Sequence, residues 1–232
     1  MINRKHVGFD RFIRLDWLDA CAFAVADGLN LEEIDEKMNI ILEGHLSSNG
    51  DRNPRDKAKT ILFKVWVKSF TEIQPMKREA IYWLSESDRS ERIALHLGMS
   101  LVNYPFVYDV ISIVGRLLSL QEGFTLEDVR SRIFQLWGDR PTVFYSVAKL
   151  LGTLNDWGII QKNGRRGQYS PGTEPICIRP ILYPWLVEAL LRATGDKMIP
   201  FSEIRRQYSP LSARGTIFPR AALFQRNSQE YR

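Results

Sequence analysis

The chain has little of what enzymes and secreted proteins are commonly built around. Only two of its 232 residues are cysteine, Cys21 and Cys177. They lie far apart, and Cys21 sits in the apolar run Ala20 to Ala26, so the expectation is two small buried thiols in a reducing cytoplasm rather than a disulfide framework. The three histidines, His6, His45 and His96, and the two cysteines form no Cys-x-x-Cys or His-x-x-x-His spacing, so neither a metal nor a cofactor is expected. There is no Gly-x-x-x-x-Gly-Lys loop and no Gly-x-Ser-x-Gly elbow. The acidic pairs Glu32-Glu33, Asp35-Glu36 and Glu127-Asp128 fall in first turns or on exposed helix faces, where carboxylates favour the helix dipole without any metal. These absences point to a non-enzymatic protein. No apolar run approaches the roughly 20 residues needed to cross a bilayer. Arg4, Lys5, Asp10, Arg11 and Arg14 break up the start of the chain, so no signal peptide is expected and the expected compartment is the cytoplasm.

What is present is enough apolar material for a real core, at 44% of residues, and an uneven distribution of charge. The net charge of +5 is mild. From residue 158 onward, however, twelve Lys and Arg face five Asp and Glu, whereas residues 1 to 157 carry 20 against 22. A basic C-terminal third suits a polyanion, and an acidic protein surface would be attracted too.

The N-terminal two thirds read as a helical bundle, residues 1–122. Helices are expected from Leu15 to Ala26, closed by Gly28, and from Leu31 to Gly44, started by Asn30 with Glu33. Another is expected from Pro54 to about Phe70, then Pro75 to Leu84, then Ser87 or Asp88 to Asn103 with Ser85 or Ser87 as cap, then Pro105 to Leu120. The last is apolar almost all round and reads as the buried central helix. On the Pro54 helix, Lys57, Lys64 and Lys68 line one face at spacings of seven and four, with Arg52 and Arg55 nearby. Such a stripe either follows a phosphate backbone or is merely solvated.

Residues 123–172 read as a winged helix-turn-helix. Thr125 and Asp128 start a first helix whose buried stripe is Leu126, Val129, Ile133 and Leu136, and Gly138-Asp139-Arg140 ends it. A second helix, Pro141 to Asp156, buries Val143, Phe144, Val147, Leu150, Leu151 and Leu154, and projects Thr142, Tyr145, Lys149 and Asp156. Ile159 to Lys162 and Gln168 to Ser170 then form a hairpin about Asn163-Gly164, displaying Lys162, Arg165 and Arg166. Double-stranded DNA is the partner this order suggests: Thr142, Tyr145 and Lys149 would reach base edges or phosphates, and the hairpin arginines the backbone or minor groove.

Residues 173–232 read as a basic helical extension. It has room for a short strand at Glu174 to Pro180, a helix from Tyr183 to Thr194 ending at Gly195, and a short helix from Phe201 to Tyr208 carrying Arg205 and Arg206. A second, degenerate helix-turn-helix is one reading of this extension. A docked or loose tail is the other.

Five stretches carry a family resemblance: Ile41-Leu-Glu-Gly-His-Leu, Asp56-Lys-Ala-Lys-Thr-Ile-Leu-Phe-Lys, Pro105-Phe-Val-Tyr-Asp-Val, Leu126-Glu-Asp-Val, and Leu150-Leu-Gly-Thr-Leu-Asn-Asp-Trp-Gly-Ile-Ile. In these the chain resembles the BrxA family of bacterial BREX phage-defence systems. The resemblance implies a compact helical body with winged helix-turn-helix character and a small DNA-binding component working beside larger defence proteins. It implies no catalytic residue. Two other functions stay open. One is a scaffold whose winged domain docks a defence protein through exposed Tyr145 and Tyr169. The other is a transcriptional regulator, which would usually need a dimer to read paired half-sites.

Overall fold

The computed structural model describes residues 6–47, 53–68, 71–164 and 167–195. The chain is mainly helical, with one small three-stranded antiparallel sheet. Capping chemistry sets most helix starts. Helix α1 spans Leu15–Ala26 and ends before Gly28, whose φ of +76° favours glycine. Helix α2, Leu31–Glu43, opens on a capping box. The Asn30 side chain accepts the Glu32 and Glu33 amides, and Glu33 accepts the Asn30 N–H at 2.8 Å. Helix α3, Pro54–Trp66, is capped by Asn53 and stops short of the expected Phe70. A 3-10 turn at Thr71–Ile73 leads into α4, Gln74–Leu84. Helix α5, Arg89–Asn103, is capped by Asp88, which accepts the Glu91 amide at 2.9 Å. The expected caps play no such part: Ser87 instead donates back to the Trp83 carbonyl. Helix α6 spans Pro105–Leu120.

The central helix is α5, not α6 as the sequence suggested. Eleven residues of α5 are buried, among them Glu91, His96, Ser100 and Asn103, while α6 leaves Leu120 exposed at its end. The polar residues of α5 hid this burial, because they imitate an amphipathic helix. Glu91 accepts both the backbone N–H and the Nε–H of Arg179, at 2.9 and 2.8 Å. His96 lies between Trp66, whose Nε1–H donates to Nδ1 at 3.0 Å, and Asp19, 2.9 Å from Nε2. Indole nitrogen only donates, so Nδ1 accepts and the ring proton sits on Nε2, pointing at Asp19. Arg92 completes the cluster at 2.9 Å from the same carboxylate oxygen.

Helix α9, Leu182–Thr194, packs on α5 and ends at Gly195 with φ +73°. Its Trp185 lies so close over Gly98 that a Cβ there would come within 2.4 Å of the ring, and the indole donates to the Met76 carbonyl. Before α9, Glu174 to Pro180 forms no strand, contrary to expectation, and Cys177 is exposed rather than buried. Cys21 is buried, and that burial pushes its thiol up to about 12.

Between α6 and α9 the order is β1 (Phe124–Thr125), α7 (Leu126–Trp137), α8 (Pro141–Asp156), β2 (Ile160–Asn163) and β3 (Gln168–Pro171). Strand β1 was not anticipated. It pairs with β3, which pairs with β2, in the order β1-β3-β2. Asn163 pairs with Gln168, so the hairpin connection is residues 164–167 and Asn163 ends a strand instead of forming the turn. On α7, Leu136 is 45% exposed, and the inward position belongs to Trp137. The Trp137 indole donates to Asp109 at 2.8 Å, and its ring meets Phe106 edge-on. The expected stripe was one residue out of phase at its end.

One continuous apolar cluster runs from Val7 to Leu190. The segment before α1 is stapled to the end of α8. The Ile13 amide donates to the Thr153 hydroxyl and the Leu15 amide to the Asp156 carboxylate, both at 2.8 Å, while the Trp157 indole donates to the Ile13 carbonyl at 3.1 Å. Asp156 therefore faces α1 and does not project freely. Thr153 and Ile13 are fully buried, so Thr153→Val leaves an amide without an acceptor at nearly constant volume. It should cost about 1–3 kcal/mol in urea unfolding. A loss below about 0.5 kcal/mol, half a typical net hydrogen bond, would remove the staple from the account of stability.

His96 gives a pH signature. Burial pushes its pKa below the usual 6.5 against the opposing pull of Asp19. For Asp19, the upward push of burial is outweighed by hydrogen bonds from His96 and Arg92, so it stays ionised near neutrality. Above about pH 6.5 the imidazole is neutral both folded and unfolded; below it, only the unfolded chain takes up the proton. Stability should therefore fall with decreasing pH from about 6.5, by up to about 1.4 kcal/mol per pH unit for this one group. Urea midpoints between pH 7.5 and 5.5 check this: His96→Gln should flatten the slope, and an equal slope in both proteins refutes the assignment.

Candidate nucleic-acid interface

The exposed face of α8 follows from which side of the helix the core claims. Val143, Ser146, Val147, Leu150, Leu151, Thr153 and Leu154 point inward. Thr142, Tyr145 and Lys149, at spacings of three and four, are left on one outward stripe, and all three are exposed. Lys149 makes no ion pair among the described residues. The hairpin stands beside this helix because the Lys162 amide donates to Asn155 Oδ1 at 2.7 Å, which ties β2 to the last turn of α8. The Lys162 side chain is exposed. Arg165 and Arg166, and likewise Arg205, Arg206 and Arg52, lie outside the described residues.

Two aromatic positions differ from expectation. Phe144 was placed in the core but is 37% exposed, and Tyr145 beside it is 65% exposed. Phe144 stacks on Phe134 and meets Tyr145 edge-on at 5.3 Å. The Arg130 guanidinium lies 3.7 Å above the Phe144 ring and donates from Nε to the Phe144 carbonyl at 3.3 Å. This arginine–aromatic cluster joins α7 to α8 beside the outward stripe. Sequence reasoning passed over Arg130, although its place on α7 next to the buried Val129 was a usable signal. Tyr169, expected on the surface, is buried and stacked on Phe124 at 5.5 Å. Strand β1 covers it. Burial pushes its phenol up, with the Arg130 charge opposing.

The three lysines of the α3 segment do not act as one face. Lys57 lines a cleft of about 420 Å³ together with Thr142 and Arg140. Lys64 is half-buried with its ammonium 4.4 Å over the Tyr104 ring, and burial lowers its pKa. Lys68 lies beyond the end of α3. Lys64 and Lys68 share a different cleft with Asp35 and Asp56, whose carboxylates already hold Lys59 at 2.9 and 3.6 Å. That second cleft sets two carboxylates against its three lysines.

Among the described residues, no group of three or more His, Cys, Asp or Glu is placed to hold a metal ion, and no helix is long and apolar enough to cross a membrane. No protein-family model matches the chain, and no curated protein or solved structure matches it.

The Asn155 contact yields a local prediction. One hydrogen bond is worth about 1 kcal/mol net, so Asn155→Ala should speed hydrogen exchange at the Lys162 amide about fivefold while leaving the α5 amides unchanged. Unchanged exchange at Lys162 would mean that something other than Asn155 holds the hairpin.

Proposed function

We propose that residues 123–172 act as a winged helix-turn-helix that grips double-stranded DNA, and that the chain is a non-enzymatic DNA-binding component of a bacterial BREX-like phage-defence system. The observation that carries the reading is the outward stripe of α8. A hydroxyl, a phenol and an ammonium in no ion pair among the described residues project together from Thr142, Tyr145 and Lys149, with Lys162 of the adjoining hairpin exposed as well. The order helix, helix and hairpin, with a third short strand in the sheet, supports this reading. The defence assignment rests on the BrxA resemblance alone.

Residues 123–172 carry seven Lys and Arg against four Asp and Glu. Two of those acids are turned to local work, Asp128 in the Thr125 capping box and Asp156 on the Leu15 amide. A handful of cations acting on phosphates gives a backbone grip with modest base reading. A scaffold is the second reading, favoured by exposed Phe144 and Tyr145 clustered beside half-buried Phe134 under Arg130, since aromatics and arginine dominate protein-binding hot spots.

Duplex affinity should fall steeply with salt. With about six phosphates neutralised, the log-log slope is about −5. Arg165→Ala with Arg166→Ala should weaken every duplex without lowering the thermal midpoint, whereas Lys149→Ala should change the ranking among sequences. Affinity that stays flat across salt, or is absent on random and specific duplex alike, overturns the DNA reading and leaves the scaffold.

A further inference from the structure

The 420 Å³ cleft on the α3 side of α8 joins three parts of the chain that are distant in sequence. Lys57 and Thr60 come from α3, Arg140 and Thr142 from the start of α8, and His6 and Asp10 from the segment before α1. Its lining is cationic on balance. Lys57 and Arg140 bring two positive charges against the one carboxylate of Asp10, which pairs with Arg11 at 3.0 Å. Lys57 makes no ion pair among the described residues, although it is only half-exposed. A lysine partly withdrawn from water and in no ion pair among the described residues is the kind of group that an incoming anion stabilises, because Coulomb attraction is stronger where water is displaced.

The neutral lining suits the same ligand. Thr60 and Thr142 add hydroxyl groups to the two cations, and Thr142 is exposed at the mouth. The first turn of α8 has Pro141, which lacks an N–H, and no side chain caps the amides that follow it. Thr142 is also the first member of the outward stripe that continues through Tyr145 and Lys149. An anion in this cleft therefore sits at one end of the surface assigned above to DNA.

We propose that this cleft seats one phosphate of a nucleic-acid backbone, with Lys57 and Arg140 supplying the charge and Thr60 and Thr142 the hydroxyl contacts. The proposal rests on the nucleic-acid reading of α8 and adds to it a fixed anchor on α3, outside the helix–helix–hairpin module. The seat fixes which end of α8 lies against the backbone, so the direction in which the helix crosses the duplex follows from it.

The test has two arms, using the full chain and the variants Lys57→Gln, Lys57→Arg and Arg78→Gln. Arg78 is exposed on α4 and serves as a cation lost outside the cleft. In the first arm, the thermal midpoint is measured in inorganic phosphate and in chloride at equal ionic strength. Phosphate should stabilise the wild-type chain and Arg78→Gln but not Lys57→Gln, with Lys57→Arg restoring part of the effect. Equal stabilisation of wild type and Lys57→Gln, or stabilisation of neither, removes the seat, and this arm decides even if the chain binds no duplex and the reading above falls. In the second arm, Lys57→Gln should weaken binding of a short duplex about tenfold and reduce the log-log salt slope by about one, while Arg78→Gln does much less. If Lys57→Gln loses the phosphate effect but binds duplex as well as Arg78→Gln does, the cleft belongs to a free phosphate and the backbone assignment is overturned.

Discussion

The burial of α5 on all sides is the constraint from which most of the architecture follows. A helix with no solvent face has to find partners inside the protein for whatever polar groups it carries, because an unpaired buried group forfeits its hydration without return. Glu91, His96 and the amide nitrogen of Asn103 each do so, whereas Ser100 Oγ and Asn103 Oδ1 have no hydrogen-bond partner among the described residues. His96 needs Trp66 from α3 and Asp19 from α1, Glu91 needs Arg179 from the chain ahead of α9, and Asn103 donates to the Met99 carbonyl one turn back. The lack of a side chain at Gly98 lets the Trp185 ring lie against the backbone, which brings α9 closer than any larger residue would allow. Three helices and one connecting segment are thus located by the chemistry of one helix.

The outward face of α8 depends on a second set of such bonds. The amides of Ile13 and Leu15 have no acceptors in their own segment and find them on Thr153 and Asp156, while Trp157 answers the Ile13 carbonyl. One end of α8 is therefore fixed to the start of the chain, and Asn155 in the same turn carries the hairpin. On the DNA reading proposed above, a surface that meets a stiff partner is better built on restrained elements than on loops, since every degree of freedom frozen on binding weakens the complex. Thr142, Tyr145, Lys149 and Lys162 meet that condition through bonds made at the C-terminal end of the helix.

Local signals in the sequence located elements well, and tertiary partners stayed hidden. Asn30 with Glu33 and Thr125 with Asp128 gave correct helix starts because a capping box is complete within four residues. Gly28 and Gly195 gave correct ends because their positive φ is a property of one residue. The errors share another origin. Leu136 and Trp137 compete for one inward position, and Asp109 on α6, 28 residues away, decides it for Trp137. Phe144 reads as core until Phe134 and Arg130 shield its ring from the side. Tyr169 reads as exposed unless β1 is known to cross β3, and two residues are too few to announce a strand. Of the candidate site, the stripe on α8 was legible from periodicity, whereas the meeting of Lys57 with Thr142 joins residues 85 positions apart and has no trace in spacing.

Charge placement, rather than total charge, sets what this surface does. Much of the basic excess beyond residue 158 is committed or lies outside the described residues: Arg179 serves Glu91 and Glu86, and Arg192 serves Glu188. Paired cations release few counterions when DNA arrives, so they add little to affinity or to its salt dependence. Among the described residues, α3, α8 and β2 contribute Lys57, Lys149 and Lys162, three ammonium groups without an ion pair there, beside Arg140 at the head of α8. Each ammonium is a compact point charge without the fork geometry that matches guanine edges. On the DNA reading proposed above, a surface built this way would follow the shape of a phosphate chain and discriminate among bases chiefly through the polar side chains between the lysines, Thr142 and Tyr145.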